Sequence, residues 1–104
     1  MKIKIISTTS DSIKVANKIA NSLIKKKLSP CVQIIPQINS TYKWKGKLHN
    51  SNEILLMIKT IPENVQLCIK LLIKHHNYDL PEIIVSEGEI VHHEYRDWFL
   101  ENTS

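Results

Sequence analysis

The stretch from Ile34 to Thr60 constrains the fold more than any other part of the chain. It predicts a strand, a tight turn at Trp44-Lys45-Gly46-Lys47 and a second strand, because Gly46 supplies the backbone freedom that a short hairpin turn needs. One helical segment precedes the hairpin and one follows it. This placement predicts a small split βαβ sandwich in which the hairpin forms a long exposed ribbon.

Hydrophobic periodicity and cap-forming residues predict the remaining elements. In chain order, the predicted elements are a strand at Lys2–Ser7, a helix from the cap-forming cluster Thr8–Ser12 to about Lys27, the hairpin strands Cys31–Trp44 and Lys47–Ile58, a helix from Thr60 to His75–His76, a strand at Glu82–Val85, a further short strand around Glu89–Val91, and a helix at His93–Glu101. Pro36 cannot donate a ladder hydrogen bond, so the second strand should be kinked or lie at a sheet edge. Thr60 and Glu63 have the spacing of a capping box.

The order βαββαβα predicts an α+β fold of the ferredoxin-like type with an extra C-terminal helix. Two right-handed βαβ units share one antiparallel sheet, in the strand order fourth, first, third, second, and place two helices on one face. The run Ile54–Ile58 is apolar on both sides, which indicates a central strand or cover from another subunit. The sheet face without helices is also apolar, so we expect the chain to self-associate.

Length and composition are those of an ordinary globular domain. We expect the 104 residues to form one domain, 1–104, and 42% of them are apolar. A domain of this size buries only roughly 60–65% of its unfolded surface, so oligomerisation is a natural way to enlarge the core. No apolar run is long enough to cross a bilayer, and the first residues lack the continuous apolar stretch of a signal peptide. We therefore expect a cytoplasmic protein without a membrane partner.

The formal net charge of +4 requires a nucleic-acid partner to be considered. The lysines are spread over strand ends, turns and the helix end at Lys25–Lys27, where cations suit the helix dipole. They form no single stripe, so we expect no nucleic-acid partner. Cys31 and Cys68 lie in apolar runs without zinc or redox spacing, and we expect both to be reduced, buried thiols.

Six segments, which together cover nearly the whole chain in order, carry a family resemblance. They are Leu28–Val32, Ile34–Pro36, Ser40–Lys47, Glu53–Thr60, His76–Tyr78 with Pro81–Ile84, and Tyr95–Trp98. Together they resemble the CutA divalent-cation tolerance family. The resemblance implies a tight homotrimer of ferredoxin-like subunits, held together by the long hairpins and the terminal segments. It also implies a link to copper and other divalent cations.

Three places depart from that family's pattern. Many relatives have a cysteine at the end of the first strand, where this chain has Ser7-Thr8-Thr9. The family's His-Pro-Tyr is His76-Asn77-Tyr78 here. Relatives usually have a proline and a glycine where this chain has Glu87 and Val91, and the glycine stands instead at Gly88.

The metal candidates are His75, His76 and Thr8. Imidazole suits Cu(II), Zn(II) and Ni(II), and the expected topology brings Thr8 near the histidine pair, where relatives place their cysteine. Adjacent helical residues point about 100° apart, so the two histidines share an ion only if the helix end unwinds. Without the soft ligand, affinity for Cu(I) should fall while weak Cu(II) binding remains, and no metal is obligatory. The alternative is two solvated histidines at a helix C-terminus.

A second group of candidates is expected near the subunit clefts that the resemblance implies. It comprises Trp44, Lys59, Tyr78, Glu82, Tyr95 and Trp98. Lys59 closes one apolar strand and Glu82 opens another, and charges so placed are seldom left unpaired. The group forms either an anion or small-ligand pocket or a structural ion pair with aromatic packing, and the structural interpretation is favoured.

These observations predict a non-enzymatic role in divalent-metal tolerance, chiefly of copper, through weak binding by a homotrimer. Catalysis finds little support, because the sequence contains no Gly-rich phosphate loop, no serine elbow and no convincing nucleophile–base pair. The alternative is a trimeric small-ligand sensor, or a signalling or anchoring scaffold, that acts through clefts between subunits.

Overall fold

Four strands and three α-helices alternate along the chain, and the computed structural model describes all residues from 1 to 104. The elements are β1 (Lys2–Ser10), α1 (Ile13–Lys25), β2 (Cys31–Trp44), β3 (Lys47–Thr60), α2 (Val65–His75), β4 (Ile84–Glu89) and α3 (His93–Glu101). The sheet has the order β2-β3-β1-β4, and all neighbouring strands are antiparallel. The predicted α+β fold, its strand order and its additional C-terminal helix are confirmed.

The core lies between the sheet and the pair α1–α2. Ile6 of β1 is paired with Ile58 of β3, and Thr8 with Leu56, so these four side chains share the face that the helices cover. Residues at helical spacing on α1 and α2 complete the core, as expected for one apolar face of each helix. They are Ala16, Ile19, Leu23, Cys68, Leu71 and Leu72.

The start of α1 differs from the sequence prediction. The strand β1 continues to Ser10, so only Ser12 of the expected cap-forming cluster serves as the N-cap, where its side chain accepts a hydrogen bond from Val15 N. The additional strand residues pair with β3 as far as Ile54. Pairing with a long neighbouring strand therefore outweighs the preference of these small polar residues for turns.

The start of α2 also differs, because no capping box forms. Thr60 is fully buried, and its hydroxyl donates to the Leu28 carbonyl at 2.6 Å. A 3₁₀ turn at Pro62–Asn64 precedes α2, and neither of the two has a side-chain cap. Asn64 instead donates to the carbonyls of Leu28 and Ser104, which ties this corner to the end of the chain.

The fourth strand lies later than predicted, at Ile84–Glu89, and no separate strand follows it. Its register opposite β1 decides this position, since Lys2 faces Glu89 and Ser7 faces Ile84. Gly88 suits a close approach in this strand, because a Cβ atom there would lie 3.1 Å from Ile5 Cδ1 and that side chain would have to shift. The glycine that departs from the family's pattern thus fits the strand in which it stands.

The central hairpin has a bulge in one strand and a strained two-residue turn. The pairing of β2 with β3 shifts between Ile35 and Ile38, next to Pro36, and Gln37 adopts φ 58°. The predicted kink and the predicted edge position of β2 are therefore both observed. Lys45 and Gly46 have φ values of 50° and 78°, as in a type I′ turn. The ribbon contributes to an elongated shape of 47 × 24 × 21 Å.

The sheet face opposite α1 and α2 is only partly covered. Ile5, Leu55 and Met57 are half-buried there, and Ile35 is 41% exposed. Lys59 lies on the same face, paired across the ladders with Ile5 and Cys31. None of the helices combines the length and apolar character needed for a membrane span.

Candidate functional site

The structure brings His76 against the end of β1. Its Nε2 atom lies 2.9 Å from the Thr9 carbonyl and 3.3 Å from Thr8 Oγ1, so the proximity expected from the topology is present. A carbonyl oxygen only accepts, so Nε2 carries the ring proton. The other nitrogen, Nδ1, accepts the backbone N–H of Tyr78 at 3.0 Å. Both ring nitrogens of His76 are therefore engaged within the chain.

His75 lies in a different environment from His76 and makes no hydrogen bond with Thr8. Partial burial and the positive charges of Lys18, Lys74 and Lys26 lower the pKa of His75. The same charges disfavour a divalent cation at this ring. No group of three or more His, Cys, Asp or Glu side chains in the structure is placed to hold one metal ion. His75 is the last residue of α2, and His76 follows it as the C-cap with an extended backbone (ψ 144°), so the geometry of adjacent helical positions does not apply to the pair.

Asn77, which replaces the family's proline, holds the turn after α2 to the end of β1. Its Oδ1 accepts from Ser10 Oγ at 2.6 Å, and its Nδ2 donates to Asp11 Oδ1 at 2.7 Å. Proline has no side-chain polar atoms and makes neither bond. The sequence prediction missed this network. The signal in the sequence was the asparagine next to the histidines, together with the polar residues Ser10 and Asp11 that follow the first strand.

A cleft of about 730 Å³ opens beside this turn, between β1, the hairpin and the segment after α2. It contains three of the six predicted cleft residues, Trp44, Tyr78 and Glu82. The bulge in β2 shapes it, because Ile38 beyond the bulge pairs with Glu53, which places alternate residues from Ile38 to Trp44 on the side of Glu53. The lining residues are Thr9, Ser40, Thr41, Tyr42, Trp44, Glu53, Asn77, Tyr78, Asp79, Leu80 and Glu82.

Glu53 is the most deeply placed acid of this cleft. Its residue is only 9% exposed, and its Oε2 accepts from the Tyr78 hydroxyl at 2.6 Å. Burial, followed by the hydrogen bond and charge of Glu53, raises the pKa of Tyr78 well above its ordinary value. With Asp79 and Glu82, the lining holds three carboxylates and no lysine or arginine. The cleft is therefore negatively charged on a chain whose net charge is +4.

Lys59 and Tyr95 lie at a second, smaller cleft, and Trp98 lies beside it against Tyr95. Lys59 and Tyr95 line a volume of about 350 Å³ on the partly covered sheet face, and the rings of Tyr95 and Trp98 stack 5.5 Å apart. Burial and the neighbouring Cys31 thiol raise the pKa of Tyr95. Lys59 makes no ion pair in the chain, and the pairing with Glu82 considered from the sequence does not form within one copy. Five of the six predicted residues are thus divided between two clefts, and Trp98 lines neither.

Comparison with known proteins places this fold and these residues in a family. Residues 4–102 match the family described as CutA1 divalent ion tolerance protein. The chain is 34% identical over 103 residues to the divalent-cation tolerance protein CutA of Thermus thermophilus, which covers 96% of this chain and 97% of the relative. It is 39% identical over 85 residues to human Protein CutA, covering 82% of this chain. That match spans 48% of the human protein, so the chain covers about half the length of such relatives.

Solved structures agree with the sequence matches. The crystal structure of CutA1 from Oryza sativa has a TM-score of 0.93 at 30% identity, covering 100% of this chain and 95% of the other. The Thermus thermophilus protein has a TM-score of 0.90 at 33% identity, with both chains covered completely. Fold and sequence therefore define a class of small α+β proteins named for tolerance of divalent ions. The chain belongs to the CutA1 divalent ion tolerance family.

Proposed function

We propose that this protein acts in divalent-cation tolerance as a cytoplasmic homotrimer of single-domain subunits, and that it binds Cu(II) or another divalent cation weakly and without catalysis. Family membership supports the tolerance role. The observation that carries the metal assignment is His76, whose ring lies 3.3 Å from Thr8 Oγ1. Imidazole is a common ligand of Cu(II), and a threonine hydroxyl is a much poorer ligand than a cysteine thiolate.

Weak binding follows from the hydrogen bonds of His76. A metal ion needs a free nitrogen lone pair, and the lone pair of Nδ1 accepts the Tyr78 N–H. Metal binding must displace this contact and leave the N–H without its partner, which costs about 1–3 kcal/mol. That cost corresponds to roughly a fivefold to 150-fold loss of affinity.

Calorimetric titration with Cu(II) and Zn(II) tests the assignment. We expect the heat of Cu(II) binding to disappear in the double variant His75→Gln/His76→Gln. A matched control is His92→Asn/His93→Gln, because asparagine can keep the N-cap contact that His92 makes with Tyr95 N. Equal heats from the wild type and the His75/His76 variant would remove the metal assignment.

The trimer is supported by the surface that one chain leaves open. The sheet face opposite the helices carries Ile35, Leu55 and Met57, together with a lysine, Lys59, that has no acidic partner within the chain. Association of three copies through this face buries the apolar side chains and brings acids of another copy within reach of Lys59. Relatives include a chloroplastic protein of Arabidopsis thaliana and a periplasmic one of Archaeoglobus fulgidus. The family therefore has no single location, and the cytoplasmic location is proposed for this chain only.

The cleft beside Glu53 favours a second function, that of a sensor or scaffold for a small ligand. Its three carboxylates and three aromatic rings, without a basic side chain, suit a small organic cation better than the anion considered from the sequence.

Thermal shift with a panel of amines tests this function, because a ligand specific to the folded state raises Tm. We expect Glu53→Gln to abolish the shift and Glu63→Gln, an exposed acid outside the cleft, to retain it. If no amine raises Tm and Lys59→Met alone lowers it, both clefts are structural.

A further inference from the structure

The two core-forming helices carry an unbalanced positive charge. Half of the 14 basic residues lie in the segments 13–27 and 65–75, and all of them are exposed. We call their outer surface the helical face; its lysines are Lys14, Lys18, Lys25, Lys26, Lys27, Lys70 and Lys74. These two segments contain no aspartate or glutamate. The lysines, which look scattered along the sequence, collect on one side of the folded chain.

The charges of the helical face also lack partners elsewhere in the chain. Every ion pair in the structure lies on the sheet, at the N-terminus or on α3, where Lys2 and Lys4 contact Glu87 and Arg96 contacts Asp97. The buried residues of α1 and α2 point to the sheet, so the lysines on the opposite side of each helix face outward. A uniformly positive outer surface of this kind attracts a polyanion.

The same face exposes large aliphatic side chains between its lysines. Ile13, Leu67 and Ile73 are 51%, 52% and 56% exposed, and Ile24 is 41% exposed. Helices that combine lysines with exposed aliphatic residues are typical of binding at the headgroup region of a bilayer. Nucleic-acid surfaces instead rely on arginine and on aromatic rings that stack on bases, and neither segment contains an arginine, a tryptophan, a tyrosine or a phenylalanine.

We propose that the helical face docks on an anionic lipid surface, with the lysines contacting headgroups and Leu67 and Ile73 entering the interface. This inference depends on charge and exposure on α1 and α2 and is independent of the metal and cleft assignments. The proposed trimer closes through the opposite sheet face, so it would leave three helical faces free. Several weakly binding faces on one particle strengthen attachment by avidity.

Co-sedimentation with vesicles tests this proposal on the full chain. We expect binding to phosphatidylcholine vesicles that contain phosphatidylglycerol as roughly a third of the lipid, no binding to phosphatidylcholine alone, and loss of binding at high salt. The variant Lys14→Gln/Lys18→Gln/Lys70→Gln should bind about a hundredfold more weakly, as expected for three lysines removed from an anionic surface. The control Lys43→Gln/Lys45→Gln/Lys47→Gln makes the same charge change at the hairpin and should bind like the wild type.

A second variant separates lipid from nucleic acid. Leu67→Ser/Ile73→Ser keeps every charge, so it should weaken vesicle binding several-fold and leave any binding to duplex DNA unchanged. The proposal would be overturned by no binding to the anionic vesicles at low salt, or by equal losses of vesicle affinity in the helical and hairpin lysine variants. Tight binding to duplex DNA, together with vesicle binding that is unchanged in Leu67→Ser/Ile73→Ser, would also overturn it. Light scattering confirms beforehand that all variants keep the size of the wild type.

Discussion

Glu53 is the residue whose surroundings most define the larger cleft. It begins the apolar run of β3, is nearly buried, and has one hydrogen-bond donor, the Tyr78 hydroxyl at 2.6 Å. No lysine or arginine neutralises it within the chain, because none of the ion pairs includes Glu53. Removing the only donor of a buried carboxylate costs more than an average hydrogen bond, since the charge loses its compensation.

We therefore predict that Tyr78→Phe destabilises the protein by about 1–3 kcal/mol near neutral pH. The raised pKa of Tyr78 gives this loss a pH dependence. A tyrosine whose pKa is raised by folding stabilises the protein fully below its ordinary pKa of about 10, and this contribution is lost as pH rises above that value. The difference in unfolding free energy between wild type and variant, measured in urea from neutral to alkaline pH, should shrink above about pH 10.

Tyr42→Phe provides the matched control, because the Tyr42 hydroxyl contacts Ser51 on the exposed ribbon. It should change stability by no more than about 0.5 kcal/mol. Similar losses in the two variants would contradict the special role given to the Tyr78–Glu53 contact.

The residue pairs of the site were only partly predictable from sequence. The contact of Thr8 with His76 follows from strand order, since the end of β1 and the turn after α2 meet at one edge of the fold. The role of Glu53 was missed, because an acid at the start of an apolar strand has the same sequence pattern whether it is solvated or buried. The bulge in β2 and the segment after α2, which meet only in the tertiary structure, form the cleft walls around it.

Among the elements, the hairpin turn is the place where sequence and backbone geometry disagree. Lys45 adopts φ 50° and Gly46 φ 78° in a turn that favours Asn-Gly. Lysine pays a conformational cost in this region that asparagine largely avoids. A Cβ atom at Gly46 would meet nothing within 4 Å, so the cost of any substitution there comes from the backbone alone.

We predict opposite effects of two turn substitutions. Lys45→Asn should stabilise the protein by about 0.5 kcal/mol, and Gly46→Ala should destabilise it by about 1–2 kcal/mol. Urea unfolding measures both, with Asn52→Ala on the exposed ribbon as a reference. Changes of the same sign would show that the turn is not of type I′.

A second test at this scale concerns the start of α2. The hydroxyl of Thr60 serves the buried Leu28 carbonyl rather than a capping box, and Glu63 is exposed. Thr60→Val should therefore cost about 0.5–1.5 kcal/mol, because it removes the shortest hydrogen bond to that carbonyl and leaves the longer ones from Asn64 Nδ2 and Cys68 Sγ. Glu63→Ala should cost less than about 0.5 kcal/mol. Thermal unfolding measures both losses of stability. A larger loss in Glu63→Ala than in Thr60→Val would indicate that Thr60 and Glu63 do form a capping box.

The identity and order of the elements were accessible from the sequence, and so were the limits of β2 and α3, while the end of β1 and the limits of β4 were not. Apolar spacing located all three helices and the hairpin, and the limits of α3 were correct. The C-terminal end of β1 and both ends of β4 depend on ladder register, which pairs β1 with Ile54–Thr60 of β3 on one side and with β4 on the other. Local propensity contains no information about such partners.

At the scale of the whole molecule, the two faces of the sheet differ in chemistry. One face is covered by helices whose outer surface is basic, and the other carries apolar side chains, Lys59 and both clefts. Ile35 and Ile24 represent these two sides, since each is 41% exposed in one chain. Substituting each of them in turn therefore tests which side forms the contacts between subunits in the proposed trimer.

We predict that the purified protein sediments at about three times its chain mass of 12.0 kDa. Ile35→Lys should dissociate this assembly, because it places a charge in the closing face, and Ile24→Lys should leave it intact. Analytical ultracentrifugation at micromolar concentration measures both. A folded wild-type monomer, or an Ile24→Lys variant that dissociates as readily as Ile35→Lys, would refute closure through the sheet.

The bulge near Pro36 and Gln37 decides which side chains of the outer half of β2 face the cleft beside Glu53. If the same chain paired without this bulge, Gln37 rather than Ile38 would lie opposite Glu53 and every later position of β2 would shift by one, and a one-residue shift exchanges the two sides of a strand. Tyr42 and Trp44 would then turn away, and Thr41 and Lys43 would take their places. The bulge alone thus decides whether two aromatic rings or a hydroxyl and a cation lie beside the three carboxylates, although the amino-acid composition is the same in both registers.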